Sequence, residues 1–133
     1  MEISEELKNA TAEILAKEAV KLMLEKKALD VKLFKVTEYT SITDYYVNVT
    51  GRSSTHVASL ADDIAENFSS KGKSPYRVEG KRGNSWILVD FGSLILNVFD
   101  AESRSFYNFY IHLPSELQVD ISDLISEVDK KFT

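Results

Sequence analysis

Apolar residues recur at helical spacing in two stretches of the chain. Between about Ser4 and Lys26, the positions Leu7, Ala10, Ile14, Leu15, Leu22 and Met23 form a stripe at rough helical spacing. Ser4 is placed to cap that helix. Glu5 and Glu6 follow where the helix dipole favours negative charge, and Lys26 and Lys27 stand at the opposite end. Further on, Gly51-Arg52-Ser53-Ser54 breaks the pattern and opens a second helix that runs to about Lys71. Its apolar positions are Val57, Leu60, Ala61, Ile64, Ala65 and Phe68, which together define one face of an amphipathic helix. Gly72 is placed to end it.

Between and after these helices the pattern changes to that of strands. Ala28 to Val36 is rich in Val, Leu and Phe, and Asp44 to Thr50 reads DYYVNVT. Tyr76 to Glu79 is a short strand, followed by the turn-prone GKRGN. The segment from Ser85 to Asp100, SWILVDFGSLILNVFD, reads as a hairpin around Gly92-Ser93, a pair that suits a type II′ turn. Ser103 to Leu113 admits two readings. Phe106, Phe109, Tyr110 and Leu113 fit a short helix, while Tyr and Phe also suit a strand. Pro114 ends the segment, and Asp120 caps a terminal helix from Ile121 to Phe132. The expected order is α-β-β-α-β-β-β-α, with room for a small helix near the end. That order implies an α/β (α+β) fold, one mixed sheet covered by helices.

The hairpin predicts its own faces. With Gly92-Ser93 at the turn, Phe91 pairs with Leu94, Asp90 with Ile95, Leu88 with Asn97 and Trp86 with Phe99. One face is then Ile87, Val89, Phe91, Leu94, Leu96 and Val98, wholly apolar and suited to lie under helices. The other carries Trp86, Leu88, Asp90, Ile95, Asn97 and Phe99. A second core layer would bury its polar groups at a cost of a few kcal/mol if they went unpaired. A protein interface tolerates the mixture better, because aromatic residues enrich its centre. This face is therefore either a docking surface or packed under the carboxy-terminal segment with Asp90 bonded to backbone.

Composition narrows the functions. The chain has 133 residues and no cysteine, so disulfides and thiolate metal sites are excluded. Its two histidines, His56 and His112, would need carboxylates to complete a metal site. No metal or cofactor is expected. The amino terminus MEISEELKNA is acidic and has no apolar run, and no stretch approaches the roughly 18 apolar residues of a membrane span. A cytoplasmic protein without membrane contact is expected. Net charge is −5, which disfavours unassisted binding to DNA or other bare nucleic acid and suits a basic partner.

Two blocks of sequence resemble one family. SITDYYVNVTGRSSTHVASLADDI, residues 41–64, has a Ser-Ile-Thr-Asp-Tyr start, an apolar strand, a Gly-x-Ser turn and a helix with an Ala-Asp pair. RVEGKRGNSWILVDFGSLILNVFDAESRSFY, residues 77–107, has Glu-Gly, Trp, an apolar strand, Asp-aromatic-Gly, a second apolar strand, Val-Phe and Arg-x-Phe-Tyr. In this order and spacing the chain resembles the ribosomal silencing factor (Iojap) family over residues 4–113. It is read as one domain over residues 1–133, with 114–133 a carboxy-terminal extension. The sequence departs from the family's pattern at Asn97, where His is usual, and at NFYIHL after Tyr107, where Leu-Glu-x-Leu-Trp is usual. The resemblance implies a nucleotidyltransferase-like fold without catalysis. It also implies binding to the universal large-subunit ribosomal protein, number fourteen, and steric exclusion of the small subunit, so that translation falls when nutrients are scarce. Homodimers of isolated family members are implied as well.

For partner binding, Trp86 is the first candidate, as hot spot or as core aromatic. Asp90, Glu102 and Glu79 are candidates for pairing with a basic protein, or are solvated charges. Leu88, Val98 and Phe99 are candidates for apolar contact or for the core. Arg104 and Tyr107 either brace the interface or pack the end of the sheet. In the signature, Thr43, Asp44 and Tyr45 lead into a strand, where Thr43 and Asp44 are expected to bond nearby backbone. Gly51, Gly80 and Gly92 are expected to supply backbone conformations, and Ser53 the turn. His56 is expected in a surface or capping role. An active nucleotidyltransferase would need a Gly-Ser turn and paired carboxylates on a strand for Mg²⁺. Gly51 and Ser53 meet the first need only. Asp62 and Asp63 fall in a helix on different faces, and Asp90 has no Asp two residues away. A hydrolase is disfavoured too, for want of a nucleophile elbow.

Overall fold

A computed structural model describes residues 3–131. Helix α1 spans Ala12–Glu25, strand β1 Leu29–Lys35, β2 Tyr45–Thr50, α2 Ser54–Ser70, β3 Arg77–Glu79, β4 Trp86–Asp90 and β5 Leu94–Phe99. Then come α3, Ala101–Tyr110, a 3₁₀ turn at Ser115–Leu117, β6, Gln118–Val119, and α4, Ser122–Lys131. The six strands form one mixed sheet in the order β3-β4-β5-β2-β1-β6. The central pair β2 and β5 is parallel and the other pairs are antiparallel. The α+β architecture predicted from the sequence is thus the observed one.

One boundary differs from expectation, one open segment is settled and one short strand is added. Helix α1 starts at Ala12 and is capped by Thr11, whose hydroxyl accepts from the Ile14 N–H, instead of starting at Ser4. The reason is tertiary. The Ser4 and Leu7 N–H groups donate to the carbonyls of Ser70 and Lys71 at the end of α2, and Leu7 is buried there. The segment around residue 103 resolves to helix, because the Asp100 carboxylate caps it by accepting from the Ser103 N–H at 2.8 Å. The two-residue strand β6, which pairs with Leu33 and Phe34 of β1, carries too short a pattern to be read from sequence. The predicted terminal helix is α4, with the Asp120 carboxylate accepting from the Ser122 N–H, and its expected end at Phe132 lies outside the described residues.

The hairpin has the predicted register: Trp86 opposite Phe99, Leu88 opposite Asn97, Asp90 opposite Ile95. Gly92 makes the turn possible. Its φ is +88°, and a Cβ there would lie 2.8 Å from a ring carbon of Tyr76. The face of Ile87, Val89, Phe91, Leu94, Leu96 and Val98 is fully buried. Tyr45, Val47 and Val49 of β2 and Leu33 of β1 continue it, and α1 and α2 cover it with Leu15, Ala19, Met23, Leu60, Ile64 and Phe68. Helix α4 lies against α1, with Val128 buried. Helix α3 alone packs on the opposite face.

Candidate functional site

The opposite face is built from alternate residues of the same strands: Phe34, Tyr46, Asn48 and Thr50, then Ile95, Asn97 and Phe99, then Trp86, Leu88 and Asp90. Helix α3 covers one end of it through Arg104 and Tyr107. Beyond that cover, a groove of about 610 Å³ opens. Tyr39, Ile42, Tyr46, Trp86, Leu88 and Tyr110 give it mostly apolar walls. Ile42, Tyr39 and Tyr110 are more than half exposed, and Trp86 is 36% exposed.

Trp86 is held from below by a relay of side chains. Its indole Nε1–H donates to Asn97 Oδ1 at 3.1 Å. Asn97 Nδ2 donates to Asn48 Oδ1 at 3.0 Å, and Asn48 Nδ2 reaches the Tyr107 hydroxyl at 3.4 Å. Asn48 and Asn97 lie directly opposite each other across the parallel pair and are both buried. The Trp86 ring also packs on Phe99, with centroids 5.0 Å apart, and meets Tyr107 edge-on at 5.5 Å. The polar groups expected on this face are therefore satisfied laterally, within the sheet. Asn48 is a site residue that sequence reasoning missed. Its signal was an Asn between valines in β2, matched by Asn97 among apolar neighbours in β5.

The acidic candidates are partly committed to the chain itself. Asp90 Oδ2 accepts from Arg77 Nε at 3.0 Å, and its Oδ1 accepts from the Gly92 N–H at 2.7 Å. Glu79 pairs with Arg77 Nη1 at 2.7 Å. These bonds raise the exposed Arg77 guanidinium above its ordinary pKa, the Asp90 hydrogen bond first and the Glu79 charge next. Glu102 is exposed in the first turn of α3. Leu88 is half-buried at the groove.

Two apolar candidates do not reach the surface. Val98 is fully buried because the register puts it on the helix-covered face, and Phe99 is fully buried because α3 and Trp86 close over it. They support the surface from within. Arg104 and Tyr107 are likewise buried braces. Arg104 donates through Nη1 to Thr50 Oγ1 at 3.1 Å and through Nη2 to the Asp30 carbonyl at 3.0 Å. Its Nη2 stands 3.3 Å from the Asp30 carboxylate, and Phe99 lies under its guanidinium. Burial lowers the Arg104 pKa against the opposing pull of Asp30. Burial raises the Tyr107 pKa, with the Asn48 hydrogen bond opposing.

The signature residues hold backbone. Thr43 Oγ1 donates to the Tyr45 carbonyl at 3.4 Å. The Asp44 main chain joins Val36 and Ser93, and Tyr45 is buried in the core. Gly80 has φ +90°, as expected of a conformational glycine. Gly51 differs. It is needed for close approach, since a Cβ would lie 2.7 Å from Val57 Cγ2. Ser53 caps α2 by accepting from the His56 N–H at 3.1 Å. His56 Nδ1 accepts from the Arg52 N–H at 2.9 Å, and its Nε2 lies 3.0 Å from the Lys26 carbonyl. Gly51 and Ser53 thus serve a helix cap. No group of three or more His, Asp or Glu able to hold a metal occurs among the described residues, and no helix there is long and apolar enough to cross a membrane.

The fold defines a small α+β protein with one mixed sheet, covered by helices on one face and partly open on the other over an oriented Trp. Known proteins place the chain more narrowly. The family model described as "ribosomal silencing factor during starvation" matches residues 9–113, and the chain belongs to that family. A ribosomal silencing factor of Zymomonas mobilis is 33% identical over 104 residues, covering 76% of this chain and 78% of its own. One of Haemophilus influenzae is 33% identical over 81 residues, covering 61% and 79%. A solved structure from Bacillus halodurans superposes with a TM-score of 0.70 at 25% identity, covering 83% of this chain and 99% of that one. A second, from Chromobacterium violaceum, gives 0.72 at 23% identity, covering 79% and 91%, and bears on the fold alone.

Proposed function

We propose that this chain represses translation without catalysis. It docks on the large ribosomal subunit through universal ribosomal protein fourteen and keeps the small subunit from joining. Membership of the silencing-factor family supports the general role. The observation that carries the docking face is Trp86, part-exposed above an apolar groove and aimed by a buried relay. Trp leads the residues that dominate interfaces, and pre-orienting it lowers the cost of binding. Asp90 and Glu79, clamped on Arg77, form a rim of net negative charge beside it, suited to a basic protein. The interface is expected to bury about 800 Å² on each partner. In the isolated protein, the same uncovered face is suited to pair with a second copy. The cytoplasm is a compartment that suits this role.

The test is co-sedimentation of the purified chain with large subunits and with assembled ribosomes. Binding to the former and not the latter is expected, and equal binding to both would refute steric exclusion. Trp86→Ala is expected to weaken binding roughly 30-fold or more, the equivalent of about 2 kcal/mol for a central Trp, while the domain still melts cooperatively. Unchanged binding in a folded Trp86→Ala variant would move the docking face elsewhere.

A further inference from the structure

A second cavity lies on the other side of Tyr107, between β1, α3 and the segment leading into β6. Its volume is about 230 Å³. The chain carries 21 acidic against 16 basic residues, yet no Asp or Glu lines this cavity, while Lys32 and Arg104 both do. Asp30 sits behind the pair, 3.3 Å from Arg104 Nη2 and 4.0 Å from Lys32 Nζ, which leaves one net positive charge toward the opening. Polar groups on the rest of the wall include Asn108 on α3, His112, Gln118 on β6 and Ser115 in the 3₁₀ turn, whose hydroxyl donates to the exposed Glu116 carboxylate at 3.4 Å and must turn from it to meet an anion.

Arg104 gives independent reason to look for a ligand here. Its side chain is 94% buried, and its Nε is sealed from solvent without a hydrogen-bond acceptor. A desolvated cation with an unused donor is costly, and a native protein that keeps one commonly has an ion or ordered water nearby. Its two Nη groups are bonded to Thr50 and Asp30, but the opposing charge is the half-exposed Asp30 carboxylate, and Nε is left over.

We propose that this cavity binds a phosphoryl group carried by a small molecule. Lys32 and Arg104 supply the charge. Asn108 lies one turn along α3 from Arg104, and Ser115 and Gln118 come from two other elements, so the polar groups surround the cavity in a way that suits the oxygens of a tetrahedral anion better than a planar carboxylate. Guanidinium and ammonium are the usual pairing for phosphate. The volume falls below the ~300 Å³ at which pockets for drug-sized ligands begin, so a phosphomonoester end fits where a whole dinucleotide does not. Phe34, Ile111 and Leu113 offer the carbon part of such a ligand an apolar wall.

The experiment is a titration of the isotopically labelled full chain with inorganic phosphate and with adenosine monophosphate, read by amide NMR. A parallel titration uses a short single-stranded RNA, whose backbone phosphates are the other source of this chemistry. Saturable shifts at Lys32, Asn108 and Gln118 with either small probe, weakened at least tenfold in Lys32→Glu, are expected. Lys32 is part-exposed, so that variant retains the fold where Arg104→Gln risks losing it. Shifts at these residues with RNA, lost in the same variant, would keep the site and assign its phosphate to nucleic acid. Absence of saturation with every probe, or an equal response in Lys32→Glu, would overturn the proposal.

Discussion

Asn48 and Asn97 provide the sharpest test of how the open face is built. Each is about 2% exposed, and each depends on the other for a partner. Replacing Asn97 by Leu leaves Asn48 Oδ1 buried without a donor and returns the Trp86 Nε1–H to solvent. An orphaned buried polar group costs about 1–3 kcal/mol, so a loss of roughly 2.5 kcal/mol is expected. Replacing Asn48 by Leu strands Asn97 Nδ2 and the Tyr107 hydroxyl, with a similar loss of roughly 2.5 kcal/mol. If the sites were independent, the double variant would lose about 5 kcal/mol, a large share of the ~5–15 kcal/mol that holds a domain together. Removing both partners together, however, leaves no orphan between them. Tyr107 then lacks its bond and the Trp86 N–H turns to solvent, so the double variant should lose about 1–2 kcal/mol.

Urea unfolding followed by far-UV circular dichroism measures all four proteins of that cycle. At a slope of about 1.5 kcal/mol/M, each single variant moves the midpoint down by about 1.7 M, and the double variant by about 1 M. The predicted coupling is thus about 3–4 kcal/mol in favour of the native pair. An additive double variant would refute the relay, because it would mean that the two amides find other partners or none. Trp86 fluorescence supplies a second readout. Both variants carrying Asn97→Leu should shift its emission to the red, as the indole N–H turns to water.

Other perturbations probe the rest of the scaffold. Arg104→Met should cost about 3 kcal/mol, since it strands Asp30 and Thr50, and Arg104→Lys should not restore it because the fork geometry is lost; thermal melts check both. Burial raises the pKa of Tyr107 and Tyr46 in the folded state, so the native protein holds protons that the unfolded chain releases. Stability is therefore full below about pH 10 and falls as pH climbs through the folded values, a slope that Tyr107→Phe should flatten in alkaline denaturation curves. His56→Ala removes the bonds to the Arg52 N–H and the Lys26 carbonyl and should lower stability by about 1–2 kcal/mol in urea.

Much of this architecture is local in origin and was therefore legible from residues alone. Gly92-Ser93 fixed the hairpin register, and the register fixed which six apolar residues face the helices. The spacing of Val57, Leu60, Ile64 and Phe68 named the buried face of α2. What the sequence hid depends on distant partners. Ser4 looks like a cap, yet its N–H is taken by the Ser70 carbonyl, and the docking of Leu7 at the end of α2 delays the start of α1 to Ala12. Val98 and Phe99 belong to an interface-like stretch, yet one faces α1 and α2 and the other lies under α3. Asp90 reads as available to a partner because Arg77 is brought opposite it only by the pairing of β3 with β4, whereas the Arg77–Glu79 pair is local to β3. Neither the Asn48 relay nor the Lys32–Arg104 cavity follows from neighbours in sequence, since each joins elements tens of residues apart.

The relay also explains how a sheet face can stay uncovered without becoming an aggregation hazard. An open face made only of Leu, Ile and Phe would be adhesive to any apolar surface. Here two buried amides hold the centre of the face, and they bond to each other, to Trp86 and to Tyr107, so their polar atoms are occupied within the chain. The exposed apolar area is displaced to the rim, onto Trp86, Ile42, Tyr39 and Tyr110. A partner must therefore match a spaced set of aromatic edges around a flat centre, a demand of shape that general hydrophobicity does not meet. Because Trp86 is bonded at its nitrogen and packed on two rings, it loses little rotamer freedom on docking, about 0.5–1.5 kcal/mol less than a mobile side chain would. If this face is the docking surface proposed above, its selectivity and affinity both rest on one device, the Asn pair in the central parallel strands, which belongs to the fold and the surface at once.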